Sequence, residues 1–235
     1  AVAGKKMLKF EIITLFPELF KEHLNNMPFK RAFKKNLAEI KLHNLRDYAI
    51  DKRGTVDGTT YGGGVGMILM VEPIYKALKT VMNYTDEQMK NFKQNAGAEK
   101  TRVILLSPNG VKFNQSVAEK LSGLSKIVLI CGRYEGVDAR IQEYFCTDTV
   151  SIGDYVLSGG EIPALAIMEA VVRLIPGTIL KEEATKIESF ADGKLEYPQY
   201  SKPENFMGLK VPEILLTGNH RKIEEWRRVN SRKTQ

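Results

Sequence analysis

Most of the residue sets that announce a common catalytic or metal site are missing from this 235-residue chain. Two cysteines, Cys131 and Cys146, are too few for a disulfide framework and fit a reducing, cytoplasmic setting. Three histidines, His23, His43 and His220, stand far apart and share no metal-ligand spacing with either cysteine. A G-x-S-x-G elbow is absent, which argues against a serine hydrolase of that type. A Walker lysine is absent too, which argues against a nucleotide triphosphatase. No apolar run approaches the ~20 residues that cross a bilayer. Ala1–Lys6 is shorter than the ~7–15 apolar residues of a signal peptide and reads as a tail ahead of a native start at Met7.

What is present is enough for a core and a basic surface. Apolar residues make up 43% of the chain, and the formal charge of +7 suits a polyanionic partner such as RNA without requiring one. Strand and helix signals alternate along the chain. Strands are expected at Phe10–Leu15, Ala38–Leu45, Arg102–Leu106, Lys126–Cys131 and Thr147–Ile152. Arg102–Leu106 and Lys126–Cys131 are apolar enough to be buried on both faces. Helices are expected at Pro17–Leu24, Glu72–Met82, Asn114–Leu121, Val137–Phe145 and Ile162–Leu174. That order predicts an α/β domain with a mostly parallel sheet. The polar stretch Asn83–Lys100 reads as a surface excursion. The charged stretch after Gly177 reads as a linker, followed by a small, mainly helical appendage. The expected boundaries are a domain over 7–178, a linker over 179–187 and a second domain over 188–235.

Three glycine-bearing segments, LLSPNG (Leu105–Gly110), CGRYEGVD (Cys131–Asp138) and SIGDYVLSGGEIPA (Ser151–Ala164), follow apolar strands. All three fall at the carboxyl edge of the predicted sheet, where open α/β sheets bind ligands. Glycine lets a ligand approach the main chain closely, and Tyr134, Glu135 and Tyr155 are poorly suited to a core. Main-chain groups freed at strand ends suit the edge of an adenine, with Ile152, Leu157 and Pro163 flanking its face. TYGGGVGM (Thr60–Met67) is no dinucleotide fingerprint, because it lacks the G-x-G-x-x-G spacing and no strand leads directly into it. The two cysteines, in or beside core elements, read as small buried hydrophobes.

These segments, together with ITLFPELF, TVDGTTYGGGVGMILM, RLIPG, SFADGKLEYPQYSKP and VPEILLTGNHRKIEEWR, occur in the order found in the bacterial tRNA (guanine-N1)-methyltransferases. Nearly the whole chain resembles that family, the TrmD branch of the knotted SPOUT methyltransferases. The resemblance implies transfer of a methyl group from S-adenosylmethionine to N1 of the guanosine just 3′ of the tRNA anticodon, position 37. It implies an α/β fold with a deep trefoil knot and a tRNA-binding C-terminal domain. It also implies a homodimer whose active site joins one subunit's knot to the other's C-terminal domain. Carried over, Leu106, Ser107, Pro108, Gly132, Tyr134, Glu135, Gly136, Ile152, Gly153, Asp154, Tyr155, Val156, Leu157, Gly159, Gly160 and Pro163 line the cofactor pocket.

The chemistry sets further demands. N1 of guanine carries a proton, so a general base must remove it, and a donor should stabilise charge spreading to O6. The resemblance places Glu188 as the base, where relatives usually carry aspartate, and Arg173 at O6. Asp57 matches a carboxylate that helps hold the target base, although an Asp-Gly pair also makes turns. Glu135 suits the sulfonium or a nearby magnesium ion. From Lys210 onward seven basic residues face three acidic ones, an excess suited to phosphates. Asn219 is expected to cap the helix holding Trp226, and Trp226 to pack within its small domain. Gly58 and Thr60 stand where relatives often have an acid and a proline. A ribose 2′-hydroxyl methyltransferase and a non-catalytic S-adenosylmethionine-binding scaffold are the rival readings.

Overall fold

The computed structural model describes residues 7–180, 189–190 and 194–233. The chain divides into two compact units between Leu180 and Lys181. In the first, the strands in chain order are β1 (Leu8–Thr14), β2 (Ala38–Asn44), β3 (Asp57–Gly58), β4 (Ile68–Leu69), β5 (Thr101–Lys112), β6 (Lys126–Cys131) and β7 (Asp148–Ser151). Five form one sheet in the order β2-β1-β6-β5-β7, and every pairing in it is parallel. The expected α/β class and parallel sheet are therefore observed.

The sheet is buried on both faces because its strands alternate between two cores. Phe10 and Ile12 of β1, Ile104 and Leu106 of β5, and Ile127 and Leu129 of β6 point to one layer. That layer is covered by α1 (Lys21–Leu24), α2 (Phe29–Lys34), α6 (Gln115–Ser122) and α7 (Glu161–Val172). Ile13, Val103, Leu105, Val128 and Ile130 point the other way. They meet α3 (Val71–Met82), α4 (Asp86–Lys90) and α5 (Phe92–Ala98). Parallel strands covered by helices on both sides are apolar throughout for this reason.

Several local expectations are corrected. Pro17–Leu24 is not one helix: Pro17–Phe20 forms a 3-10 turn that passes into α1. Asn83–Lys100 is no surface excursion. It folds as α4 and α5 and buries Tyr84, Met89, Phe92 and Ala96. The last three recur at helical spacing, a sparse stripe outweighed in composition by its polar neighbours. The helix expected at Val137–Phe145 starts only at Ala139, and its Ile141–Phe145 part is a π-helix. Val137 instead bridges Leu69, and Asp138 N–H donates to the Leu69 carbonyl at 3.0 Å, which holds the backbone extended. β5 runs six residues past Leu106 to Lys112, taking in the segment read as a loop.

In the second unit, the helices Glu213–Leu216 and His220–Asn230 accompany two short antiparallel pairs. One pair is a hairpin, Asn205–Phe206 with Leu209–Lys210, turning through Met207 and Gly208, both at positive φ as a two-residue type I′ loop requires. Asn219 caps the longer helix by accepting from Lys222 N–H. Trp226 packs against Tyr197 and Tyr200, with ring centroids 6.3 and 6.4 Å away. Both expectations are met.

Candidate active site

A detour within β5 and the loops that follow β6 and β7 enclose a cavity of about 440 Å³, within the ~300–1,000 Å³ of small-molecule sites. One wall comes from β5 itself. Leu106 and Val111 both register with Val150 of β7, so residues 107–110 leave the ladder as a detour, and Ser107, Pro108 and Asn109 line the cavity. The second wall is the segment Gly132–Val137, and the third comes from Ile152–Gly153, Tyr155–Gly160 and Pro163. Every residue expected to hold a cofactor lines this cavity except Asp154, whose carboxylate is paired with Lys112 instead.

Glycines set how tightly the walls meet. Gly160 N–H donates to the Gly132 carbonyl at 2.9 Å, and a Cβ on Gly160 would lie 2.6 Å from Cys131 Cα. A Cβ on Gly66 would lie 2.7 Å from Glu135 Cγ. The Thr60–Met67 segment therefore seats Glu135, whose own N–H donates to the Met67 carbonyl at 3.0 Å.

Arg133 and Glu135 are the charged residues lining the cavity among those described. They differ sharply in pairing. Arg133 Nε donates to Glu161 Oε2 at 3.0 Å, its Nη1 donates to the Ser158 carbonyl at 3.3 Å, and its guanidinium lies 4.4 Å from the Phe16 ring centre. Glu161, only 1% exposed at the first residue of α7, also accepts from Thr14 Oγ1 at 2.7 Å. A helix N-terminus favours a carboxylate there. Glu135 is exposed, has no ion-pair partner among the described residues, and lies beside Gly66 at the edge of the cavity. Next along, the Arg140 guanidinium forks onto Asp138 at 2.9 and 2.8 Å and holds that carboxyl below its usual range. Behind the wall, burial pushes the Cys131 thiol well up.

The remaining predicted residues are not gathered into the cavity. Half-buried Asp57 lies in β3 opposite Leu69, and Leu69 in turn bridges Val137, so β4 joins Asp57 to the second wall. Half-buried Arg173 follows α7 directly, its N–H donating to the Glu169 carbonyl at 3.1 Å. Glu188 lies outside the described residues. Arg133, Asn109, Val137, Gln142 and Ser158 line the cavity without having been expected to. A charged residue between two glycines was the available signal for Arg133. Its pairing with Glu161, 28 residues on, has none.

A parallel α/β sheet with one cavity built from glycine-rich loops at its carboxyl edge defines a small-molecule-binding domain of the open-sheet class. The sequence model of the family described as "tRNA (Guanine-1)-methyltransferase TrmD" matches residues 8–235, and the chain belongs to that family. A tRNA (guanine-N(1)-)-methyltransferase of Dictyoglomus turgidum is 50% identical over 222 residues, covering 94% of this chain and 84% of that protein. The enzyme of the same name from Clostridioides difficile is 45% identical, covering 95% and 92%. The crystal structure of the tRNA (m1G37) methyltransferase from Aquifex aeolicus superposes with a TM-score of 0.73 at 38% identity, covering 94% of this chain and 87% of that one.

Proposed function

We propose that this chain transfers a methyl group from S-adenosylmethionine to N1 of guanosine 37 of tRNA. The observation that carries the reading is the loop-walled cavity, in a chain that shares half its residues with named tRNA (guanine-N(1)-)-methyltransferases over most of their length. The cavity fits the proposed methyl donor chemically. Strand-end main-chain groups suit an adenine edge, Leu106, Ile152, Leu157 and Pro163 supply apolar walls, and the accessible Glu135 carboxylate suits a cation. S-adenosylmethionine, when bound, supplies an electrophilic methyl on a sulfonium.

The chain's own residues then have distinct tasks. Glu188 takes the proton from guanine N1, and Arg173 donates to O6 as negative charge develops there. Asp57 holds the target base, and Glu135 compensates the cation. Orientation matters greatly for an in-line displacement. The target base must leave its stack to reach the pocket. The described residues hold no cluster of three or more metal-ligating side chains, so magnesium would depend on groups beyond Glu135, such as those of bound RNA.

The same reading makes the β5 detour and its return beside Val150 part of a trefoil knot. It makes residues 7–178 the cofactor domain, 179–187 the linker and 188–235 the tRNA-binding domain, in a cytoplasmic homodimer with shared sites. Exposed Val111, Val156 and Ile162 beside the loops support a covering second subunit. Among the described residues no helix is long and apolar enough to cross a membrane.

The test is methyl transfer from labelled S-adenosylmethionine to a tRNA transcript bearing guanosine at positions 36 and 37, with and without magnesium, followed by nucleoside analysis. The expected product is 1-methylguanosine at position 37, lost when that guanosine is replaced. A ribose-methylated product, or tight donor binding without product on any tRNA, would overturn the reading.

A further inference from the structure

We propose that Arg133 is a positioning residue that shapes the cavity before a ligand arrives, with Glu161 as its anchor. The inference rests on the reading of the cavity as the S-adenosylmethionine site. Arg133 lies in the second wall, yet its donors serve the protein: Nε and Nη2 reach Glu161 Oε2, both at 3.0 Å, and Nη1 reaches the Ser158 carbonyl at 3.3 Å. Ser158 belongs to the third wall and Glu161 to the first turn of α7. One guanidinium thus ties two loops to a helix, and its stacking on Phe16 adds the segment that follows β1.

The surroundings are built around this arrangement. Arg133 and Gly159 form an isolated antiparallel bridge, and a Cβ on Gly159 would overlap the guanidinium of Arg133. The Glu161 carboxylate is sealed from water, with Thr14 Oγ1 on its other oxygen at 2.7 Å, and Thr14 Oγ1 accepts from Phe16 N–H at 3.0 Å. A buried carboxylate with three donors around it is locked in orientation. Apart from the Arg133 side chain, the two loops meet through backbone, in the Arg133–Gly159 bridge and the hydrogen bond from Gly160 N–H to the Gly132 carbonyl. Without the latch, the loops sample conformations in which the cavity is not formed. Apparent affinity then falls by the fraction of molecules that remain competent.

Lysine at 133 keeps a charge for Glu161 but has no planar fork to reach Ser158 at the same time. Arg133→Lys therefore separates loss of the latch from exposure of a buried carboxylate, which Arg133→Met combines. The experiment measures S-adenosylmethionine Kd by calorimetry, KM and kcat for methyl transfer, and Tm, for wild type, Arg133→Lys, Arg133→Met and Glu161→Gln. The expected result for Arg133→Lys is a Kd and KM raised about tenfold, with kcat at saturating donor within about threefold of wild type and Tm little changed. Arg133→Met is expected to lose more affinity, and Glu161→Gln to lie between the two.

An unchanged Kd in a folded Arg133→Lys, even with a lowered Tm, would overturn the proposal and leave Arg133 a structural residue. A collapse of kcat at unchanged Kd would also overturn it, by making Arg133 act on the reacting groups. Failure of the wild-type protein itself to bind S-adenosylmethionine would sink the reading of the cavity, a result distinct from either.

Discussion

Gly110 returns to the sheet against Val150 with no room for a side chain. A Cβ on Gly110 would overlap the Val150 backbone nitrogen and lie 2.6 Å from its carbonyl carbon. Neither atom can withdraw, because Val150 is held in register with both Leu106 and Val111. Gly110→Ala is therefore expected to cost about 3 kcal/mol or more. Gly97 in α5, with nothing within 4 Å of a Cβ, is the control. Gly97→Ala should stabilise by about 0.5–1 kcal/mol through helix propensity. Urea denaturation of both variants checks the contrast, and equal effects would remove the steric argument.

Phe92 ties the helical insertion Asn83–Lys100 to the second core. Its ring meets Tyr84 and Phe145 edge-on at 5.8 Å, and it is 2% exposed. Phe92→Ala should lower stability by about 3–5 kcal/mol. A loss under about 1 kcal/mol, by the same denaturation measurement, would mean that α4 and α5 are a detachable excursion after all.

The two thiols give stability a definite pH dependence. Burial raises Cys131 well above the ordinary thiol range and Cys146 to about 12. In the unfolded chain both ionise near ~8.5. Above that pH the unfolded state releases protons that the folded state keeps, so stability falls as pH rises. Below it this contribution is fully retained. Paired Cys131→Ala and Cys146→Ala replacements should flatten the stability profile between about pH 8.5 and 11. Thiol alkylation of the native protein at pH 8 should be far slower than in denaturant. Rapid labelling without denaturant would contradict the burial.

Under the proposed function, Glu135 should discriminate between ligands by charge. S-adenosylmethionine carries a sulfonium that S-adenosylhomocysteine lacks, and Glu135 is the charged cavity residue with no ion-pair partner among the described residues. Glu135→Gln is expected to weaken the first about 2–5-fold, as an exposed ion pair allows, and to leave the second nearly unchanged. Equal losses for both ligands in calorimetric titrations would reassign Glu135 to shape rather than charge.

Asn219 is the cap of the helix His220–Asn230, and Trp226, the chain's one tryptophan, sits in that helix. Asn219→Ala should destabilise the second unit by about 1 kcal/mol. Tryptophan fluorescence reports the loss, because the indole leaves Tyr197 and Tyr200 when the unit opens. A transition unmoved in urea would show that the cap is redundant there.

Much of this is legible in the sequence alone, and the limits follow from the range of the interactions. Apolar runs such as Lys126–Cys131 identify interior parallel strands because burial on both faces leaves no polar alternation. The glycine-rich segments marked the cavity walls because close backbone approach demands glycine locally. Met89, Phe92 and Ala96 give no clear helical signal because three apolar positions are few among polar ones. Only the packed Tyr84–Phe92–Phe145 contacts make them core. The extended backbone at Val137 was hidden likewise, since its partner Leu69 is distant in sequence.

Local composition and periodicity by themselves determined the α/β class, the parallel strands and the three glycine-bearing segments that wall the site. The tertiary structure alone decided that β5 detours and returns beside Val150, that Arg133 is spent on Glu161, and that Glu135 is left as the exposed charge at the cavity. The physical reason is that each of these is a pairing between groups far apart along the chain. Which partner a buried charge or a bulged strand takes depends on the closure of the whole sheet, and no window of neighbouring residues encodes that closure.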